Sequence, residues 1–294
     1  MLNYLQINVD ITELSNFKTK ATARYYFEIQ SRQDVDKIIE IVEFAKNKNI
    51  KILFIWWGTN LLFAFDIFEW IVIKNCLQWW TYDKETKILE SYTSEKIRDI
   101  AKSLENDYGQ DLWHRFIWLP WTIGWAVFGN AWCFGLETEW NFKEAEVLDL
   151  YNWGITKMQK NEVKFSYRSS LFKKTDNFFI IKVIFDLNEK VEKYSSDVDN
   201  LDFRENKQPK GNSGWSFFKN PSKELSAGKA IEEVWLKWHN HNGVIFSPLH
   251  ANFLINSKKN WNWRDLIYMI DLAKTKVKES FWIELEPEVR IISN

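Results

Sequence analysis

Residues 119–135 read LPWTIGWAVFGNAWCFG, and the fold turns on how that stretch is understood. Pro120, Gly124, Gly129, Asn130 and Gly135 belong to a loop that bends closely around something. Trp121, Trp125 and Trp132 stand where a loop cradling a phosphate through backbone N–H groups needs residues without a side chain, because a bulky group holds the backbone off the anion. From Phe116 to Leu136 the chain also carries no charge, long enough for a membrane span. The proline, glycines and asparagine within it break or polarise that run, so a transmembrane helix is not expected.

The composition holds the same conflict. The 294 residues include only 10 glycines but 18 tryptophans, against an average of about 7% glycine. So many indoles suit a core or a sugar-binding surface, since each ring is a large apolar body with one donor. A formal net charge of -1 gives no reason to expect nucleic acid or an anionic membrane as partner. Cys76 and Cys133 are far apart and form no C-x-x-C, which fits a reducing, cytoplasmic setting without disulfide or structural zinc. His239-Asn240-His241 has no third ligand at a recognisable spacing, so no metal is expected. The opening MLNYLQINVDITEL has no basic segment ahead of an apolar core, so no signal peptide is expected.

Along the chain, strands alternate with helices. Ser31 and Asp34 make a capping-box-like pair ahead of Val35, Ile38, Ile39, Val42 and Ala45, which predicts a helix. Lys51 to Ile55, Ile71 to Ile73 and Phe178 to Asp186 read as strands, and Ile97, Ile100, Ala101 and Leu104 mark a helix beginning at Ser94. The charged segment from Leu187 to Gly214 marks a domain junction near its start. Beyond it, a helix is predicted from Ala227 to Lys237, strands near Val244 to Phe246 and Phe253 to Ile255, a helix carrying Leu266, Ile270, Ala273 and Val277, and a last strand Val289 to Ile292.

Several motifs occur in order. Ile55 to Asn75, IWWGTNLLFAFDIFEWIVIKN, resembles the G-x-G-[ST]-N-L-L and D-x-G-F-x-G-x-V-I segments of the UDP-N-acetylenolpyruvoylglucosamine reductase family. The opening stretch resembles that family's I-P-G-[ST]-[IV]-G-G-A-x-x-x-N-x-G-A-Y-G-x-E at Pro120, Thr122, Ile123, Gly124, Ala126, Asn130, Gly135 and Glu137. Tyr167-Arg168-Ser169-Ser170 with Phe172-Lys173 is similar to Y-R-D-S-x-F-K, with serine at 169 where aspartate is usual. NSGWSFFKNP from Asn212, SPLHANFLIN from Ser247 and LEPEVR from Leu285 extend the likeness nearly to the C-terminus. Phe17 to Arg24, FKTKATAR, lacks the paired glycines common there.

The resemblance implies an α+β fold: a two-subdomain FAD-binding domain of the PCMH/vanillyl-alcohol-oxidase type over residues 17–186, then a C-terminal α/β substrate-binding domain over 187–294. It implies non-covalent FAD, reduced by NADPH, and reduction of UDP-N-acetylglucosamine-enolpyruvate to UDP-N-acetylmuramate in peptidoglycan precursor synthesis by a cytoplasmic monomer. Arg168, Ser216 and Glu288 match the catalytic residues: a cation facing negative charge that develops at C2, the acid that protonates C2, and a carboxylate beside them. Trp56, Trp57, Gly58, Thr59, Asn60, Leu61, Pro120, Trp121, Thr122, Ile123, Gly124, Trp125, Ala126, Asn130 and Gly135 match cofactor-binding positions, and Tyr167, Lys219, Asn220 and His250 substrate-binding ones. Another flavin oxidoreductase of the same superfamily would keep the two N-terminal loops without needing Arg168, Ser216 and Glu288 together.

The tryptophans also follow the family pattern. Trp56, Trp70, Trp118, Trp121, Trp125, Trp132, Trp215, Trp235, Trp238 and Trp282 fall where it has glycine, and Trp57 and Trp113 are grouped with them. A gene that reads UGA as glycine, rendered with UGA as tryptophan, would give this distribution. If the indoles are genuine, the chain is an inactive relative.

Overall fold

The computed structural model describes residues 2–56, 60–133, 135–152, 154–175, 177–188, 209–222, 224–257 and 262–294. In chain order its strands are β1 (Gln6–Asp10), β2 (Thr22–Ile29), β3 (Ile52–Ile55), β4 (Leu61–Phe63), β5 (Ile67–Asn75), β6 (Trp80–Asp83), β7 (Ile88–Tyr92), β8 (Trp132–Cys133), β9 (Leu136–Glu137), β10 (Phe142–Asp149), β11 (Gly154–Gln159), β12 (Phe178–Asp186), β13 (Asn240–His241), β14 (Val244–Phe246), β15 (Leu254–Asn256) and β16 (Arg290–Ile292). Helices α1 (Asp34–Lys48), α2 (Ile97–Tyr108) and α3 (Ile123–Phe128) precede two later helices, Ala227–Glu233 and Trp263–Phe281.

Two compact units result, each assembled from separated segments. One contains residues 1–5, 26–57 and 71–197, the other 6–25, 58–70 and 198–294, so the boundaries fall inside β2 and β5.

The first unit is built on an antiparallel sheet ordered β11-β10-β12-β7-β6. Its central strand β12 alternates as a half-buried strand should: Val183 and Phe185 are fully buried, while Lys182 pairs with Glu90 at 2.7 Å. The parallel pair β3–β5, with Leu53 opposite Val72, is apolar on both faces. Helix α2 buries Ile97, Ile100, Ala101 and Leu104, the face its spacing predicts, and ends on the left-handed Gly109. At the start of α1 the Asp34 carboxylate accepts the Ser31 N–H at 2.9 Å, the Ser31 hydroxyl at 3.0 Å and the Gln30 N–H at 3.1 Å. The pairing predicted there is real, with aspartate as acceptor.

Trp113 departs from the reading that groups it with the glycine-like tryptophans. It is fully buried, its Nε1–H donates to Asn141 Oδ1 at 3.1 Å, and its ring meets Phe116 and Phe185 edge-on. Removing so large a buried side chain leaves a cavity and an unpaired amide. Trp113→Ala should therefore lower stability by about 3–5 kcal/mol in a urea titration.

The second unit packs Leu266, Met269, Ile270, Ala273 and Val277 of helix Trp263–Phe281 against Phe217, Phe246, Leu254 and Phe17. Strands β13, β14 and β15 form a small antiparallel sheet, and β16 runs parallel to β4 with Arg290 opposite Leu61. Helix Ala227–Glu233 stops earlier than its apolar spacing predicts, because residue 235 takes the left-handed conformation. The strand predicted at Phe253–Ile255 lies one residue later. Among the described residues no helix is long and apolar enough to cross a membrane. The run from Phe116 to Leu136 is instead divided among a 3-10 turn, the short α3 and the hairpin β8–β9.

Candidate functional site

Within the first unit, Pro120 to Gly135 wraps round α3. Thr122 caps that helix, its hydroxyl accepting the Trp125 N–H at 3.3 Å. The N–H groups of Ile123 and Gly124 donate to the carbonyls of Glu95 and Thr93, each at 2.8 Å. Those two groups, expected to face a cofactor pyrophosphate, are thus satisfied by the protein itself. Gly124 admits no side chain, since a Cβ there would sit 2.8 Å from both Thr93 Cβ and Trp56 Cδ1. Ile123 and Ala126 are fully buried packing residues.

Asn130, in left-handed conformation, donates through Nδ2 to Glu137 Oε2 at 2.9 Å and to the Ser166 carbonyl at 3.2 Å. That second bond fastens the turn of residues 166–169, closed by Ser166 N–H to Ser169 O at 2.9 Å and its reciprocal at 3.0 Å. Ser170 Oγ–H donates to Phe128 O at 2.7 Å, fixing the same turn to the end of α3. Tyr167 and Arg168 form its tip, with Tyr167 exposed and Arg168 at φ 54°. A non-glycine residue held there is strained backbone of the kind that concentrates at functional sites. The Arg168 guanidinium lies 6.0 Å from the Trp121 ring.

The residues as spelled do not fit a flavin. Trp56 and Trp125 are only 5% and 6% exposed, their indoles packed against Phe128, where glycine would leave space open. The Trp121 Nε1–H is buried and finds no hydrogen-bond partner among the described residues. Cys133, at a position that resembles a packed alanine, is buried with its thiol 3.1 Å from Arg115 O. Trp57, Gly58 and Thr59 lie outside the described residues.

In the second unit, the segment from Ser216 to Lys219 is clamped between two strands of backbone. Asn252 does half of this. Its Oδ1 accepts the Phe218 N–H at 2.9 Å, its Nδ2–H donates to Phe218 O at 2.8 Å, and its carbonyl accepts the Phe217 N–H at 2.8 Å. On the other side, Lys219 N–H donates to Glu286 O at 2.9 Å and Glu288 N–H to Phe217 O at 2.8 Å. Ser216 and Glu288 are thereby set on neighbouring backbone. Asn60, 6% exposed, donates through Nδ2 to the Glu288 carbonyl at 3.1 Å, and Leu61 begins the β4 ladder beside β16.

The remaining polar side chains have defined partners. Lys219 pairs with the Glu286 carboxylate. Asn220 Oδ1 accepts the Ala227 N–H at 3.1 Å, ahead of helix Ala227–Glu233. His250 Nδ1 accepts the Asn252 N–H at 3.2 Å, and burial pushes the imidazole pKa down. A neutral ring accepting at Nδ1 carries its proton on Nε2, a donor suited to a carbonyl or phosphate oxygen. Asn252 was not singled out from the sequence, although its place in H-A-N-F was the available signal. His241 pairs with Asp265 at 3.2 Å and stacks on Tyr268. No metal-holding group of side chains occurs among the described residues.

Against known proteins, residues 207–292 match the family model described as UDP-N-acetylenolpyruvoylglucosamine reductase, C-terminal domain. The reductase of that name from Fervidobacterium nodosum is 30% identical over 98% of this chain and 91% of its own length. The one from Aquifex aeolicus is 29% identical over 98% and 95%. The crystal structure of the Thermus caldophilus enzyme superposes with a TM-score of 0.76 at 20% identity, covering 99% of this chain and all of that one. Near-complete alignment at that identity settles the matter: the chain belongs to the UDP-N-acetylenolpyruvoylglucosamine reductase family.

Proposed function

We propose that this chain, with glycine restored at its flavin cradle, reduces UDP-N-acetylglucosamine-enolpyruvate to UDP-N-acetylmuramate in peptidoglycan precursor synthesis. FAD, held without a covalent bond, and NADPH supply the hydride. Ser216 delivers the proton to C2 of the enolpyruvyl group. Its hydroxyl is a weak acid in water, so the role demands close placement, and the double clamp on the Ser216–Lys219 segment provides a rigid backbone for it. The observation that carries the reading is that clamp, in which the Glu288 N–H bonds at 2.8 Å to the carbonyl of Phe217, the residue after Ser216.

Arg168, fixed on a turn tied to α3, supplies the positive charge for negative charge developing at C2. Glu288 acts beside Ser216, with its carbonyl held by Asn60. Tyr167, Lys219, Asn220 and His250 bind the sugar nucleotide, the lysine and the neutral imidazole facing oxygen acceptors. The cofactor side comprises residues 56–61, Pro120 to Ala126, Asn130 and Gly135. Residues 17–186 make the flavin domain and 187–294 the substrate domain of a cytoplasmic monomer.

The test is NADPH oxidation by the glycine-restored chain, followed at 340 nm in the presence and absence of the enolpyruvyl sugar nucleotide. Oxidation that requires the substrate, with a product heavier by one hydride and one proton, is expected. Oxidation indifferent to that substrate removes the proposal.

A further inference from the structure

We infer that the polypeptide made by its own cell carries glycine at positions 56, 121, 125, 215, 235, 238 and 282, and tryptophan at 113 and 263. At 215, 235, 238 and 282 the backbone sorts the letters without help from the family pattern. Trp215, Trp235, Trp238 and Trp282 have φ of 70°, 62°, 69° and 60°, in the left-handed region that glycine enters freely and a bulky L-residue enters only at a cost. Asparagine, the side chain that best tolerates this region, supplies Asn8, Asn49, Asn130 and Asn242, the long basic side chains supply Lys18, Lys87, Lys164 and Arg168, and tryptophan, the bulkiest residue there, supplies as many as either group.

Helix ends make the point locally. Helix α1 terminates on left-handed Asn49 and α2 on left-handed Gly109, both ordinary helix stops. Helix Ala227–Glu233 ends at Val234 with left-handed Trp235 directly after it, and helix Trp263–Phe281 terminates on left-handed Trp282. At the first, Leu236 N–H reaches back to Ile231 O at 3.2 Å, and at the second, Trp282 N–H bonds to Lys278 O at 2.9 Å. These are the hydrogen bonds of a glycine stop carrying an indole. The indoles gain nothing in exchange, since Trp235 and Trp282 are each 90% exposed and Trp238 is 72% exposed.

At positions 56 and 125 the sign of the misfit is opposite, because there the indoles are buried, and at 121 a half-buried ring has its nitrogen covered. They fill a flavin family's cradle and leave one ring N–H buried without an acceptor among the described residues. Trp113 and Trp263 differ from both sets. Each ring nitrogen donates to a side-chain acceptor, Asn141 Oδ1 at 3.1 Å and Asp66 Oδ1 at 3.2 Å, whereas that of Trp56 reaches only the Ile180 carbonyl at 3.5 Å, and Arg264 lies 4.4 Å from the Trp263 ring. Two codons rendered by one letter would give this division: UGA read as glycine by the cell, and UGG read as tryptophan.

The test is tandem mass spectrometry of peptides from the protein purified from the organism carrying the gene, alongside the codons of that gene. Glycine and UGA at the seven positions, with tryptophan and UGG at 113 and 263, are expected. Tryptophan or UGG at 215, 235, 238 or 282 overturns the inference, as does glycine at 113 or 263. The measurement is independent of catalysis: a chain with the expected masses that fails to reduce the enolpyruvyl sugar nucleotide would contradict the proposed function alone.

Discussion

Trp56→Gly, Trp121→Gly and Trp125→Gly in one chain are expected to turn a colourless protein yellow. With tryptophan at these positions, two indoles buried against Phe128 occupy the cradle, and a flavin could enter only by expelling packed rings. Backbone can approach a pyrophosphate only where no Cβ intervenes, and Gly124, where a Cβ would sit 2.8 Å from Thr93 Cβ, shows how tightly the surrounding atoms are set. The predicted difference is all or none: flavin that survives gel filtration in the glycine chain and none in the tryptophan chain, measured from the absorbance near 450 nm. Equal flavin in both would show that the indoles do not obstruct it. Glycine at 235, 238 and 282 should act on stability instead, by about 1 kcal/mol per site, because left-handed strain is relieved where little indole surface is buried.

Ser216→Ala in the glycine-restored chain should separate the two halves of the reaction. Its backbone, held beside Phe253 and followed by the clamped Phe217, needs no hydroxyl, so the fold should persist. Reduction of bound flavin by NADPH should proceed at its usual rate. Transfer to the enolpyruvyl group should fall by about 10²–10⁴, the usual contribution of a positioned acid. Stopped-flow measurement of each half separately checks this, and equal slowing of both would assign Ser216 a structural part.

Much of this architecture is legible in the sequence, and the failures have identifiable causes. Strand β12 was visible because its apolar run ends in Asp186, and α2 because its buried residues recur at helical spacing. Strands β10 and β11 go unpredicted, because FKEAEVLD and GITKMQ carry charged or polar side chains and show no apolar run. Helix Ala227–Glu233 was predicted too long for another reason: its stop signal is a backbone conformation at residue 235, and the letter tryptophan hides it. For the site, motif order located Arg168, Ser216 and Glu288. It could not show that Asn252 and Asn60 hold their backbones, since those bonds join residues far apart in the chain. Pattern alone cannot separate a buried, hydrogen-bonded indole such as Trp113 from a glycine site.

The most direct measurement is an anaerobic titration of the glycine-restored chain. NADPH is added until the flavin absorbance is bleached, then UDP-N-acetylglucosamine-enolpyruvate is supplied in excess. Return of the yellow absorbance in proportion to the sugar nucleotide consumed, with UDP-N-acetylmuramate as product, is the predicted result. A flavin that stays bleached in the presence of that substrate would contradict the account.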